Sequence, residues 1–313
     1  FRNPEVVGTG TGLDEKGNPA IVVYTLSALE HRPDVTIETV GRGKRPDALP
    51  VSVENIPVIS KITGMFKVYD DPSSRFARPV PVGVSTGHPA ITAGTIGCRV
   101  KDSNGNVYAL SNNHIFANSN NAAIGDNILQ PGPYDGGINP ADAIGTLYDF
   151  EPIIYSKNNL MDAAIALCST ETLSFSTPAG DAYGAPGTLP VAAFIGQPVQ
   201  KYGRTTRHTT GTVAEVNVTV QVCYVSNGST CIKWARFVNQ IAVSPGTFSS
   251  GGDSGSLIVT NDSNKNPVGL LFAGSTTRTI ANPIGNVLAR FGVTIDDGGE
   301  GTVDFTDIAV TSI

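Results

Sequence analysis

Ser254 stands in Gly252-Asp253-Ser254-Gly255-Ser256, directly ahead of the apolar run Leu257-Ile258-Val259. A serine hydroxyl becomes a nucleophile only when a base takes its proton. Attack on a carbonyl also needs N–H donors aimed at the oxygen that turns negative. Glycines on either side of the Asp-Ser pair leave the backbone free to turn such N–H groups inward. The stretch therefore offers a nucleophile and an oxyanion site together. A base, and a group to orient that base, must come from elsewhere in the chain.

Histidine is scarce enough to decide which base. The chain has only His31, His88, His114 and His208, all ahead of Ser254. An order with serine first is excluded, and the motif is not G-x-S-x-G. The Asp-His-Ser order is also disfavoured: it places a helix after the serine, and LIVTND reads as strand and turn. The His-Asp-Ser order remains. His114 lies in ALSNNHIFA (109–117), where a strand ends, a polar turn follows and the histidine opens a short apolar segment. Asp162 lies in NLMDAAIAL (159–167), a lone carboxylate at the head of an apolar run. A buried carboxylate needs partners, and an imidazole N–H is the partner a triad supplies. His31 and His88 read as loop and turn residues, with Pro89 holding His88 extended; His208 reads as structural.

These segments resemble the chymotrypsin-like serine proteases, in particular their bacterial-type branch. GDSG around Ser254 matches the nucleophile motif, and MDAAIAL resembles the segment that carries the aspartate. Around His114 only the histidine and its place after a strand carry over. GLLFAGS (269–275) resembles the strand that binds substrate main chain, and QKYGRTT (200–206) followed by Gly211-Thr212-Val213 resembles the bacterial branch. The resemblance covers roughly residues 90 to 293. It implies Ser254 as nucleophile, His114 as general base and acid, and Asp162 as the group that orients the imidazole. It also implies an oxyanion hole from the N–H groups of Gly252 and Ser254.

The resemblance carries two further expectations. No Ile-Val-Gly-Gly-like segment precedes His114 to supply a new N-terminal cation for Asp253. An internal base from the KYGRTT segment, Lys201 in preference to Arg204, is expected to pair with Asp253, which is costly to bury alone. The floor of the specificity pocket falls at Phe248, and its walls at Ser249, Ser250, Phe272, Ala273 and Gly274. No acidic residue stands there, so small or apolar side chains before the scissile bond are expected. Two other readings fit the same residues: a catalytically silent double barrel that binds peptide or serves as a scaffold, and an esterase or acyl transferase.

The frame that must position these groups is mainly β. The chain of 313 residues holds 35 glycines and only 15% charged residues, which suits short strands joined by turns. Hairpin turns are expected at DSNGN (102–106), around SNGST (226–230) and at NDSN (261–264). One helix is expected near the C-terminus, because Ile284, Val287, Leu288 and Phe291 recur at helical spacing. Asn282-Pro283 would cap its start and Gly292 its end. The acidic turn 296–301 reads as a solvated loop.

The expected layout is a chymotrypsin-like double β-barrel with a C-terminal helix, preceded by a small α+β domain. Residues 1–70 form that domain, with strands near Val6, at Pro19–Tyr24 and within 51–67. A pro-segment, a cover for the cleft and an assembly module are all open roles for it. The basic GRGKRP (41–46) reads as an exposed loop. Residues 71–89, with Pro79, Pro81 and Pro89, read as a linker. Residues 90–195 form the first barrel, with His114 and Asp162, and 196–313 the second, with Ser254.

A net charge of −6 argues against nucleic acid as a partner, and no run is long and apolar enough to span a membrane. The expected partner is a peptide or protein substrate; oligomeric state is open. No metal-ligand spacing occurs, and no cofactor is expected. The chain begins with Phe1, which suits a removed leader and a secreted location, although a cytoplasmic one fits too. Cys223 and Cys231 flank a hairpin and can pair; Cys98 and Cys168 are buried thiols or a second bridge.

Overall fold

A computed structural model describes residues 3–36, 48–65, 71–180, 182–228 and 230–299. The chain divides into two compact units, Phe1–Tyr69 and Asp70–Ile313. In the first unit β1 (Val6–Leu13), β2 (Pro19–Thr25), β6 (Ile56–Ile62) and β5 (Ser52–Val53) form one sheet in that order. β3 (Glu30–Arg32) pairs with β4 (Ala48–Pro50). Val23, Leu49 and Val58 make its small core. The described residues of this unit form strands; GRGKRP lies outside them.

The second unit holds two sheets. The first orders β11 (Asn127–Leu129), β12 (Ala143–Phe150), β14 (Ala164–Cys168), β10 (Val107–Ser111), β9 (Cys98–Asp102) and β21 (Val293–Ile295). The second orders β13 (Asn158–Asn159), β17 (Thr230–Ser244), β16 (Arg207–Asn227), β15 (Pro198–Gly203), β18 (Leu257–Thr260), β19 (Pro267–Gly274) and β20 (Thr279–Pro283). β20 also pairs with β17, which closes this sheet into a barrel. Closure removes the open edges that an antiparallel sheet would otherwise expose.

Each barrel has its own apolar core. Val80, Val82, Val84, Ile96, Ala109, Phe116, Ile128, Leu147 and Leu173 fill the first. Val199, Val213, Ile241, Val243, Ile258 and Leu271 fill the second. A third cluster joins Val100, Leu110 and Ile165 of the first sheet to Leu257 and Leu270 of the second. Helix α2 (Ile284–Phe291) lays Ile284, Val287 and Leu288 into that junction. Fully burying each such side chain stabilises by about 1.5–3 kcal/mol. Gly292 ends the helix in the left-handed conformation, at φ 64°, as its lack of a Cβ permits.

Three sequence expectations give way here. Residues 71–89 are not a linker. β7 (Ser85–Thr86) pairs with β8 (Gly94–Thr95), and Val80, Val82 and Val84 are buried in the first core. Proline content suggested exposure, but alternate valines between the prolines face inward. The second barrel does not run to the end of the described chain, because β21 returns to the first sheet beside β9. Asp296 follows it into the interior and pairs with Arg99, Nε to Oδ2 2.7 Å. That carboxylate is buried, whereas Asp297, Gly298 and Gly299 are exposed, so the solvated-loop reading gives way only at Asp296.

Candidate active site

Asp162 lies between β13 and β14 and its carboxylate is fully buried. His114 sits in α1 (Asn113–Phe116), the short helix that follows β10. β10 and β14 are hydrogen-bonded neighbours, with Ser111 opposite Ala164. That register brings the two residues together. Asp162 Oδ2 is 2.6 Å from His114 Nδ1, and Asp162 Oδ1 accepts the backbone N–H of His114 at 3.2 Å. The carboxylate thus grips both the ring and the main chain of the histidine. With Nδ1 engaged, Nε2 is the nitrogen left for proton transfer.

The Asp162 main chain is held just as closely. Asn112 Nδ2 donates to its carbonyl at 2.8 Å, and Asn282 Nδ2 donates to the same oxygen at 3.1 Å. Asn282 Oδ1 accepts the Asp162 N–H at 3.1 Å. The expectation that Asn282 caps α2 is therefore corrected. The helix starts after Pro283 with no side-chain cap, and the Asn282 side chain serves Asp162 instead.

Ser254 lies in a tight loop between Phe248 and β18. Gly252 and Gly255 have φ of 95° and 96°. A Cβ on Gly255 would collide with the Thr95 carbonyl and the Ser111 hydroxyl, so this position needs glycine twice over. The loop is pinned from outside by its carbonyls. Thr95 N–H donates to Ser254 O at 2.8 Å, Thr95 Oγ1 to Gly252 O at 2.8 Å, and Thr205 Oγ1 to Gly251 O at 2.7 Å. The N–H groups of Gly252 and Ser254 donate to no acceptor among the described residues. Ser111 Oγ donates to Thr95 O at 2.8 Å, linking this loop to the strand that leads to His114. The Ser254 hydroxyl makes no hydrogen bond to His114 among the described residues, a looseness common where no substrate is bound.

Asp253 is buried behind the loop. Its carboxylate accepts from Thr205 N–H at 2.8 Å, Thr206 N–H at 3.1 Å, Thr206 Oγ1 at 2.7 Å and Ser250 N–H at 2.9 Å. Lys201 Nζ lies 3.6 Å away, and both side chains are fully buried. Burial draws the Lys201 ammonium down to about 8, against the pull of the Asp253 charge. Arg204, the other candidate, turns to Asp135 in the first barrel, Nε to Oδ2 2.9 Å. Gly203 makes room for Asp253, since a Cβ there would strike its carboxylate and Ser256 Oγ.

Phe248 is not a pocket floor. It is 1% exposed, and its ring joins Val199, Val213, Ile241 and Val243 in the second core. The aromatic ring buries far more apolar area there than at a polar cleft. Phe272 is also buried, its ring centroid 4.7 Å from that of Phe237. Ala273 is partly buried and Gly274 is exposed. A Cβ on Gly274 would come 3.4 Å from Ser249 Oγ. Ser249 Oγ and Thr279 Oγ1 share a hydrogen bond of 2.6 Å.

The His88 and His208 side chains pair with residues outside the candidate triad. His88 Nε2 is 3.1 Å from Asp126 Oδ2, and His208 Nε2 is 2.8 Å from Gln200 Oε1. Cys223 and Cys231 are disulfide-bonded across the β16–β17 hairpin, whereas Cys98 and Cys168 are free thiols. Among the described residues no cluster of His, Cys, Asp and Glu could hold a metal ion, and no helix is long and apolar enough to cross a membrane.

Residues beyond the sequence expectation complete the site. Thr95, Asn112, Asn282 and Tyr224 all touch its members. Only Asn282 had a sequence signal, and Pro283 beside it pointed to a helix cap.

A glutamic-acid-specific serine protease, reported to use a histidine triad in substrate binding, superposes with a TM-score of 0.50 at 20% identity. The match covers 69% of this chain and all of that one. This chain has the fold of the chymotrypsin-like serine proteases. Protease A of Thermobifida fusca matches at 16% identity and TM-score 0.49, over 70% of this chain and all of that one. A Nocardiopsis protease matches at 18% identity and TM-score 0.49, over 69% and 99%. The family model of the Nal1 C-terminal domain matches residues 178–290, a stretch that holds the whole chymotrypsin-like second barrel from β15 to β20. No curated protein matches the sequence.

Proposed function

We propose that this chain is a serine endopeptidase working through His114, Asp162 and Ser254. The observation that carries the reading is the 2.6 Å contact between His114 Nδ1 and the buried Asp162 carboxylate, which leaves Nε2 for proton transfer. The two N–H groups of Gly252 and Ser254, without an acceptor among the described residues, support an oxyanion hole.

Ser254 Oγ attacks the scissile carbonyl carbon as His114 Nε2 takes its proton. The carbonyl oxygen becomes an alkoxide held by Gly252 and Ser254 N–H. Collapse breaks the C–N bond, the leaving amine takes the proton from His114, and Ser254 carries the acyl group as an ester. Water then attacks that ester by the same steps, with His114 again as base and then acid. Asp162 keeps the imidazole in the right tautomer and stabilises the imidazolium. Lys201 neutralises Asp253 from inside the protein, so the loop needs no newly formed N-terminus.

Ser249, Gly274 and Thr279 carry no charge, which supports small or apolar side chains before the scissile bond. Digestion of a peptide library beside matched esters tests both activity and preference. Cleavage after small or apolar residues is the expected result. Ester hydrolysis without peptide cleavage would point to an esterase, and no turnover of either to a silent peptide-binding barrel.

A further inference from the structure

The long hairpin of β16 and β17 brings a tyrosine to the buried aspartate. Residues 218, 220, 222 and 224 alternate along β16, and Val218, Val220, Val222 and Tyr224 all pack against the cluster around Phe237 and Ile153, as the two-residue period of a strand requires. Tyr224 is the last of them. Its hydroxyl is 2.6 Å from Asp162 Oδ2, the oxygen that also faces His114 Nδ1. The ring stands edge-on to the His114 imidazole, centroids 6.1 Å apart, and against Tyr155 and Phe237. The Cys223–Cys231 bridge closes the hairpin immediately beside it.

We infer that Tyr224 is a positioning residue for the reaction: its phenolic O–H donates to Asp162 and fixes the carboxylate that orients His114. The inference rests on the reading of Asp162 as the orienting group. Three donors serve this carboxylate: His114 N–H, His114 Nδ1 and the Tyr224 hydroxyl. Burial, with the Asp162 charge beside it, holds the Tyr224 phenol well above its ordinary range, so it keeps its proton and acts as donor. Charge-assisted bonds of this kind are about twice as strong as neutral ones. The other titratable groups facing it are Tyr155 and, over the Tyr155 ring at 3.8 Å, Lys233. Because β16 belongs to the second sheet and His114 follows β10 of the first, the hairpin constrains Asp162 from the opposite barrel.

Tyr224→Phe keeps the ring and removes the donor. In the full chain we expect kcat to fall about tenfold with KM little changed, as losing a bond to a charged group predicts. The His114 Nδ1–H resonance in proton NMR should move, because the oxygen it faces has lost its second donor. An unchanged kcat in a folded Tyr224→Phe variant overturns the inference. If the parent chain cleaves no peptide, the protease reading fails separately and the resonance decides: unmoved in the variant, it overturns the inference. Should Tyr224→Phe not fold, 3-fluorotyrosine at position 224 keeps ring and hydroxyl with a more acidic proton. A moved His114 resonance then supports the inference and an unmoved one overturns it.

Discussion

Thr95 donates its backbone N–H to the carbonyl of Ser254 at 2.8 Å. The same residue spends its other polar groups on the same task. Its hydroxyl donates to Gly252 O and accepts from Arg204 N–H at 3.1 Å, and its carbonyl accepts from Ser111 Oγ. One buried threonine therefore ties the carbonyls of both residues flanking Asp253, Gly252 and Ser254, to the strand that leads to His114. Thr95→Val keeps the shape and removes the hydroxyl. We expect kcat to fall about tenfold with KM little changed, since a net hydrogen bond is worth about 0.5–1.5 kcal/mol. Steady-state kinetics beside Thr95→Ser, which should retain most activity, checks this.

Asp162→Asn leaves the packing in place but replaces an acceptor oxygen with an amide or a neutral carbonyl. The His114 tautomer is then wrong for taking the Ser254 proton, and a loss of about ten-thousand-fold in kcat is expected. Unaltered circular dichroism with near-normal kcat would remove Asp162 from the reaction.

Lys201→Met strands the Asp253 charge in the interior. Removing one partner of a buried pair costs about 3–5 kcal/mol, and both side chains here are fully enclosed. Urea unfolding should show a loss of that order. A loss below about 1 kcal/mol, the scale of exposed pairs, would mean that the threonine and serine donors alone satisfy Asp253.

The free thiols, Cys98 buried and Cys168 partly buried, set an alkaline limit. Burial raises Cys98 far above its ordinary value of 9.0 and pushes Cys168 up to about 12. In the unfolded chain each thiol ionises near pH 9, whereas the folded chain keeps the proton. The unfolded state then binds fewer protons, so stability is fully present below pH 9 and falls above it. For Cys98 the loss by pH 10 is about 1.4 kcal/mol. Unfolding of the parent and of Cys98→Ala at pH 8 and pH 10 should differ by that extra slope; parallel behaviour would contradict it.

Local signals made the barrels and the order of the three candidate residues legible. GDSGS is a contiguous motif, and the strands beside His114 and Asp162 carry their own apolar pattern. Contacts set by register were hidden. Nothing in CYVSN suggests that Tyr224 reaches a residue 62 positions away. Thr95 sits in a two-residue strand with no pattern to read. Asn282 misled because asparagine before proline has the right chemistry for a helix cap, and only the folded chain shows its amide committed to Asp162. Residues 71–89 misled because proline marks backbone shape and not burial.

The account stands on a nucleophilic Ser254. Reaction of the intact, folded chain with a fluorophosphonate, followed by peptide mapping, tests it most directly. We predict a single adduct on Ser254, abolished in His114→Ala, with Ser254→Ala lowering peptide turnover about a million-fold. A folded chain that takes no label at Ser254, or takes it equally well without His114, would contradict the account.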